Sequence, residues 1–112
     1  MLRVETGGRS ILLTGDISTR MESRLVERFG AGLRSDVLVA GHHGSNTSTG
    51  APLLKAVAPS LVLFAAGYAN QFGFPAREVR ERVRALGIPS LDTGVVGAVS
   101  LKLRADGTLD GP

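Results

Sequence analysis

Both histidines of this chain stand side by side in the stretch LVAGHHGSNTS, at residues 38–48. His42 and His43 follow a short apolar run, and after Gly44 come four residues with hydroxyl or amide side chains. Imidazole, together with carboxylate, is a usual ligand of Zn²⁺, Mn²⁺ and iron. Adjacent residues in extended backbone point in opposite directions. We therefore expect one histidine to bind a metal ion, and the other to face a substrate oxygen or support a ligand.

Polar, glycine-bounded loops end three successive apolar runs, at residues 14–16 (TGD), 41–48 and 67–75 (GYANQFGFP). In α/β folds, ligands bind outside the carboxyl ends of the strands. The side chains predicted to converge on one rim are Asp16, His42, His43, Ser45, Asn46, Thr47 and Asn70. A carboxylate can bridge two metal ions, and hydroxyl and amide donors can hold a phosphate.

Each of these features also has an ordinary structural interpretation. Asp16 follows a glycine and is typical of a turn or cap residue. A histidine pair in a loop is often solvated or structural. The residues SNTS read equally as a polar loop whose end, Ser48 or Thr49, caps the next helix. Asn70 is compatible with a simple turn.

The apolar periodicity predicts the elements that would position these side chains. Strands are predicted at residues 3–6, 10–14, 37–40, 61–66, 90–93 and 98–104. A first helix opens at a capping box of Thr19 and Glu22 and ends at Gly30 or Gly32. Further helices are predicted at residues 52–57 and 76–86, the latter with Val79, Val83 and Leu86 as its buried stripe. Strands that alternate with helices predict an α/β layered fold.

The composition restricts the class of protein. The chain has 112 residues, 43% of them apolar, which suits one globular domain. No apolar run approaches the roughly 20 residues of a membrane span, and we expect no secretory signal. Without cysteine there are no disulfides or thiolate metal sites. The formal charge of +3 is compatible with a nucleic-acid partner but does not require one.

The order and spacing of ILLTGDIS, SDVLVAGHHGSNTS and VLFAAGYANQFGFP are more specific than any one residue. Together they resemble the C-terminal half of the metallo-β-lactamase-like domain of ComEC-type DNA-internalisation competence proteins. The resemblance runs from about residue 12 to residue 93, and it implies that residues 1–112 form the C-terminal portion of an αββα sandwich. It further implies a metal-dependent nuclease or phosphodiesterase that acts on DNA, and a soluble domain tethered to a multi-span membrane protein.

The resemblance also implies roles for individual residues. Asp16 matches the aspartate that bridges two ions, which would be Mn²⁺ or Zn²⁺. His43 matches the last ligand of the second ion, with His42 and Asn70 at the substrate, although the two histidines could exchange roles. Ser45, Asn46 and Thr47 would hold the substrate phosphate.

This sequence departs from the family pattern in two places. It contains no His-x-His-x-Asp-His cluster and no histidine before TGD, and Phe74 stands where relatives usually carry histidine. An incomplete ligand set predicts a chain that is inactive alone. We expect it to pair with the missing N-terminal half, or to form a homodimer through exposed sheet surface. The alternatives are a non-catalytic interaction module and part of a stand-alone hydrolase of the same superfamily.

Overall fold

The structure is a computed structural model that describes residues 1–45, 48–65 and 75–110, with only the backbone of residues 42 and 43. Within these residues, five strands form the main sheet in chain order. They are β1 (Leu2–Thr6), β2 (Arg9–Leu13), β3 (Val37–Val39), β4 (Leu61–Phe64) and β5 (Ser90–Asp92). The first two form an antiparallel hairpin, and β2 to β5 are parallel to one another. A separate two-stranded sheet pairs β6 (Lys102–Leu103) with β7 (Leu109–Asp110).

Helices connect the parallel strands, as parallel pairing requires. They are α1 (Thr19–Phe29), α2 (Ala51–Val57) and α3 (Arg77–Ala85), and a short α4 (Thr93–Val96) follows β5. Two 3-10 turns lie at Gly30–Leu33 and Gly41–Gly44. The prediction of a mixed α/β fold is therefore confirmed, whereas the αββα sandwich remains a proposal.

One face of the sheet carries the hydrophobic core. Leu12, Leu38 and Val62 lie in register on neighbouring strands and are fully buried. Apolar residues of α2 and α3 complete this cluster, and Leu25 and Val26 of α1 pack against it. All three connecting helices thus cover the same face of the sheet.

The opposite face is also aliphatic. One row across all five strands consists of Leu2, Leu13, Val39, Leu63 and Leu91. Leu2 is 60% exposed and Leu13 is 37% exposed, while the other three are half-buried. Sheets with parallel strands are usually covered on both faces. The expectation of exposed apolar sheet surface therefore agrees with this second face.

Several predicted boundaries were wrong. The cap of α1 is Ser18, whose Oγ accepts the Met21 N–H, and Glu22 turns into the protein instead of forming a capping box with Thr19. The N-cap of α2 is Gly50, so the prediction that Ser48 or Thr49 caps this helix was wrong.

The C-terminal third also differs from its prediction. Leu86 lies at the end of α3 and is 41% exposed rather than part of the buried stripe. Of the strand predicted at 98–104, only Lys102–Leu103 pairs with a neighbour in the described residues, because the main sheet ends at β5. No helix within the described ranges is both long and apolar enough to span a membrane.

Candidate metal and phosphate site

The candidate site lies at the carboxyl edge of the parallel strands. Because β2 to β5 run in the same direction, the residues that follow each strand lie at one edge of the sheet. Asp16 follows β2 and is exposed there. The 3-10 turn Gly41–Gly44, which contains both histidines, follows β3.

Gly41 brings the first two loops into direct contact. A Cβ atom on Gly41 would lie 3.0 Å from Ser48 Oγ and 3.1 Å from both Gly15 O and Thr14 Oγ1. Such distances are shorter than most Cβ contacts, so these neighbouring atoms would have to shift by a few tenths of an ångström to admit a side chain. The Thr14 hydroxyl is buried and donates to Val39 O at 2.9 Å, so the TGD loop is also tied to the end of β3. The loop that carries Asp16 and the turn that carries the histidines are therefore neighbours in space.

Gly44 brings the end of the third loop to the same turn. Its carbonyl accepts the Ala76 N–H at 2.7 Å. Its φ of +95° is accessible mainly to glycine, and a Cβ atom there would overlap Pro75. The described parts of the three predicted loops thus meet around residues 41–44.

The individual site residues are placed to different degrees. Asp16 lies at the predicted edge, and Ser45, which directly follows the histidine turn in the chain, is half-buried. Asn46, Thr47, Asn70 and Phe74 lie outside the described residues, as do the side chains of His42 and His43. Their proposed roles therefore remain predictions.

The backbone of the histidine turn differs from the expected one. Residues 41–44 adopt 3-10 conformation, with about three residues per turn, instead of an extended chain. The alternation of side chains along a strand therefore does not apply here. Which histidine binds a metal ion is not decided by that argument.

Sequence reasoning missed the residue that holds this region together, Glu22. Its side chain is only 1% exposed, and its carboxylate accepts the N–H groups of Thr49 at 2.6 Å and Gly50 at 2.8 Å. The signal was present in the sequence, because Glu22 falls on the same face of α1 as Leu25 and Val26. A charged residue on an apolar stripe requires buried partners.

Thr49 links Glu22 to the histidine turn. Its Oγ1 accepts the Gly41 N–H at 3.2 Å, and its carbonyl accepts a hydrogen bond from Arg82 Nη1 at 2.8 Å. Its φ of +57° is unusual for a threonine, so several contacts are needed to hold this backbone. We call Glu22, Thr49, Gly50 and Arg82 the Glu22 network.

Burial raises the pKa of Glu22 above its ordinary value of 4.5, because the charged carboxylate loses water. The hydrogen bonds from Gly50 and Thr49 and the positive charge of Arg82 act in the opposite direction and are weaker. Removal of water from this carboxylate is therefore the dominant effect.

Ser48 is another polar residue at this edge. Its hydroxyl is fully buried and has no hydrogen-bond partner in the described part of the chain. It lies next to the Gly41 α-carbon, between the TGD loop and the histidine turn.

The donor types at this edge suit Zn²⁺ or Mn²⁺, because Asp16 supplies a carboxylate and the turn supplies imidazoles. Within the described residues, no three histidine, cysteine, aspartate or glutamate side chains lie close enough to hold an ion. Asp92, which ends β5 at the same edge, is already bonded to Arg80 at 2.9 Å and to the Gly94 N–H at 2.8 Å. Among the described residues, Asp16 is thus a donor of a suitable type at this edge.

Comparison with known proteins relates this chain to competence proteins. No protein-family model matches the chain. It is 46% identical over 107 residues to "Competence protein ComA" of Neisseria gonorrhoeae, an alignment that covers 96% of this chain and 16% of that protein. These proteins are homologues. Two further homologues are "ComE operon protein 3" of Bacillus subtilis (strain 168), 32% identical over 104 residues, and "Recombination protein 2" of Haemophilus influenzae, 35% identical over 106 residues.

The two further alignments cover 93% and 95% of this chain and 13% of each homologue. The chain therefore spans only about a sixth, or less, of the length of the curated relatives that it matches.

Proposed function

We propose that this chain is one part of a metal-dependent phosphodiesterase or nuclease domain that acts on DNA within a longer competence protein. One observation carries the proposal. In a segment homologous to competence proteins, the loop bearing Asp16 contacts the turn bearing both histidines, through Gly15 and Gly41. Carboxylate and imidazole at one sheet edge are the ligands that hydrolytic metal ions use.

In this proposal Asp16 and His43 bind Mn²⁺ or Zn²⁺, and His42 and Asn70 contact the substrate. Ser45, Asn46 and Thr47 hold its phosphate through hydroxyl and amide donors. The ions, when bound, activate water and neutralise charge on the scissile phosphate. The Glu22 network keeps the backbone on either side of the phosphate-binding residues in place.

The remaining ligands would come from elsewhere in the longer protein. One carboxylate and one imidazole fall short of the usual three to four protein ligands of a catalytic ion. The aliphatic second face of the sheet supports the same interpretation, because parallel sheets are normally covered on both faces. We propose that the N-terminal half of the domain packs there, and that membrane spans of the longer protein tether the domain.

Metal binding and hydrolysis should be measured separately on the 112-residue chain and on a longer protein that contains it. We expect weak Mn²⁺ or Zn²⁺ binding and negligible DNA hydrolysis by the chain alone. In the longer protein, Asp16→Asn should lower metal affinity by more than the ~10–100-fold that loss of an outer partner costs. Glu78→Gln, which removes one exposed charge from α3, is the matched control.

Two results would contradict the proposal. Efficient hydrolysis by the isolated chain that is lost in Asp16→Asn would show that its site is complete. Metal-dependent hydrolysis by the longer protein that Asp16→Asn leaves unchanged would remove Asp16 from the site.

A second candidate is a non-catalytic interaction module that has kept the fold and lost the chemistry. Phe74 favours it, because a phenyl ring can neither bind a metal nor donate to a phosphate. This candidate predicts a longer protein that binds its partner with no dependence on metal and hydrolyses no phosphodiester.

A further inference from the structure

Helix α1 presents three arginines on its outer face. Arg20, Arg24 and Arg28 are spaced by four residues, so they lie in a row along one side of the helix. All three are exposed, whereas Glu22, Leu25 and Val26 turn toward the protein. With a rise of about 1.5 Å per residue, the α-carbons of successive arginines in the row are about 6 Å apart along the helix axis.

These arginines differ from most others in the described residues because their guanidinium groups form no hydrogen bond or ion pair. All eleven arginines lie in the described ranges, and six donate side-chain hydrogen bonds: Arg3, Arg9, Arg77, Arg80, Arg82 and Arg104. The other five form no hydrogen bond or ion pair there, and three of these five form the row on α1. Its charge is therefore available to a ligand.

The position of the row relates it to the candidate site. Helix α1 begins at Thr19, three residues after Asp16, so the row leads away from the carboxyl edge of the sheet. At its far end the Arg28 guanidinium lies 5.3 Å from the centroid of the Phe29 ring, which is 48% exposed. Cationic groups that follow a backbone, next to an exposed aromatic ring, are typical of surfaces that bind single-stranded nucleic acid.

We propose that Arg20, Arg24 and Arg28 bind the phosphate backbone of a DNA strand and lead it to the carboxyl edge. The inference rests on the proposed function for its direction, since the strand would otherwise have no site to reach. Glu27 lies on the same exposed side of α1 and opposes the binding of phosphate. The row with Glu27 still carries a net charge of +2.

The test is the binding of single-stranded DNA to the full 112-residue chain in EDTA, over a series of salt concentrations. The slope of log K against log salt is negative, and each lost phosphate contact makes it shallower by about 0.7. The triple change Arg20→Gln, Arg24→Gln and Arg28→Gln should therefore make the slope shallower by about 2. It should also weaken binding about tenfold or more at low salt. Glu27→Gln should tighten binding.

The control is Arg34→Gln, Lys55→Gln and Arg84→Gln, which removes the same charge from exposed cations whose side chains form no hydrogen bond or ion pair in the described residues. This triple should keep most of the wild-type slope, and circular dichroism verifies that both triples are folded.

Three outcomes would overturn the proposal: no DNA binding by the wild type, an equal loss of slope in both triples, or equally salt-dependent binding of a poly-glutamate peptide. Because EDTA removes metal, loss of the hydrolytic site leaves this measurement unchanged. Asp16→Asn should accordingly bind DNA as the wild type does.

Discussion

Replacement of Glu22 by alanine should destabilise the fold strongly, although the residue is charged and lies on a helix. The substitution removes the acceptor of two buried N–H groups, those of Thr49 and Gly50, at 2.6 and 2.8 Å. Glu22, Thr49 and Gly50 are all buried, so bulk solvent does not reach these two N–H groups in the wild-type fold. The backbone between the histidine turn and α2 would then lose its anchor on α1.

The size of the effect follows from two opposing contributions. Each buried N–H group that loses its acceptor costs about 1–3 kcal/mol, so the two groups of Thr49 and Gly50 cost about 2–6 kcal/mol. Against this stands the cost of burying the carboxylate, which the raised pKa of Glu22 reports and which the substitution abolishes. We expect a net loss of about 2–4 kcal/mol, a large share of the ~5–15 kcal/mol that stabilises a typical domain.

Urea unfolding followed by circular dichroism measures this loss as a shift of the transition midpoint. Glu27→Ala is the matched control, because it removes an exposed glutamate from the same helix and should change stability by less than about 0.5 kcal/mol. If Glu22→Ala were no more destabilising than Glu27→Ala, the carboxylate would not hold the 48–50 backbone, and the reasoning on the Glu22 network would be wrong.

Three further predictions concern the pH dependence of stability, the contact between the loops and the uncovered sheet face. Because the folded-state pKa of Glu22 lies above 4.5, its contribution to the free energy of unfolding should fall as pH rises through the interval above 4.5. The difference in unfolding free energy between wild type and Glu22→Ala should thus be smaller at pH 7 than at pH 4.5. A larger difference at pH 7 would contradict a raised pKa. Gly41→Ala should cost about 1–3 kcal/mol through crowding, whereas Gly32→Ala, which has room for a Cβ, should not, as midpoints of thermal unfolding would show. Light scattering should detect self-association of the wild type at micromolar concentrations. Leu13→Asp, on the uncovered sheet face, should weaken this self-association, and Met21→Asp, on α1, should not. A wild type that stays monomeric would argue against an accessible apolar face.

The elements that sequence reasoning predicted well are those whose pattern is local. The glycine pair at residues 7–8 marks the hairpin of β1 and β2, and apolar runs mark β3 and β4, because turn preference and burial act within a few residues. Pairing order, in contrast, is set by contacts between residues far apart in the chain. Residues 98–101 look like a strand but find no neighbour in the described sheet, since the sheet ends at β5.

Around the candidate site, too, features that depend on local sequence could be predicted, and contacts between residues far apart in the chain could not. That three loops meet at one edge follows from parallel strands alone, so the loops could be predicted. Glu22 was assigned to a capping box, since its partners, Thr49 and Gly50, lie 27 and 28 residues further along the chain. The 3-10 backbone at Gly41–Gly44 was equally hidden, because it depends on the contacts of Gly41 with Thr49 and of Gly44 with Ala76.

The two sides of helix α1 differ in function: the inner side stabilises the fold, and we propose that the outer side binds DNA. The inner side carries one carboxylate, which binds the backbone after the histidine turn and is buried at a cost in free energy. The outer side carries three exposed arginines, which form no hydrogen bond or ion pair in the described residues. Stability measurements should therefore respond to Glu22 and not to the arginine row, and DNA binding in EDTA should respond to the row. A helix whose substitutions fail to separate in this way would have a single, purely structural role.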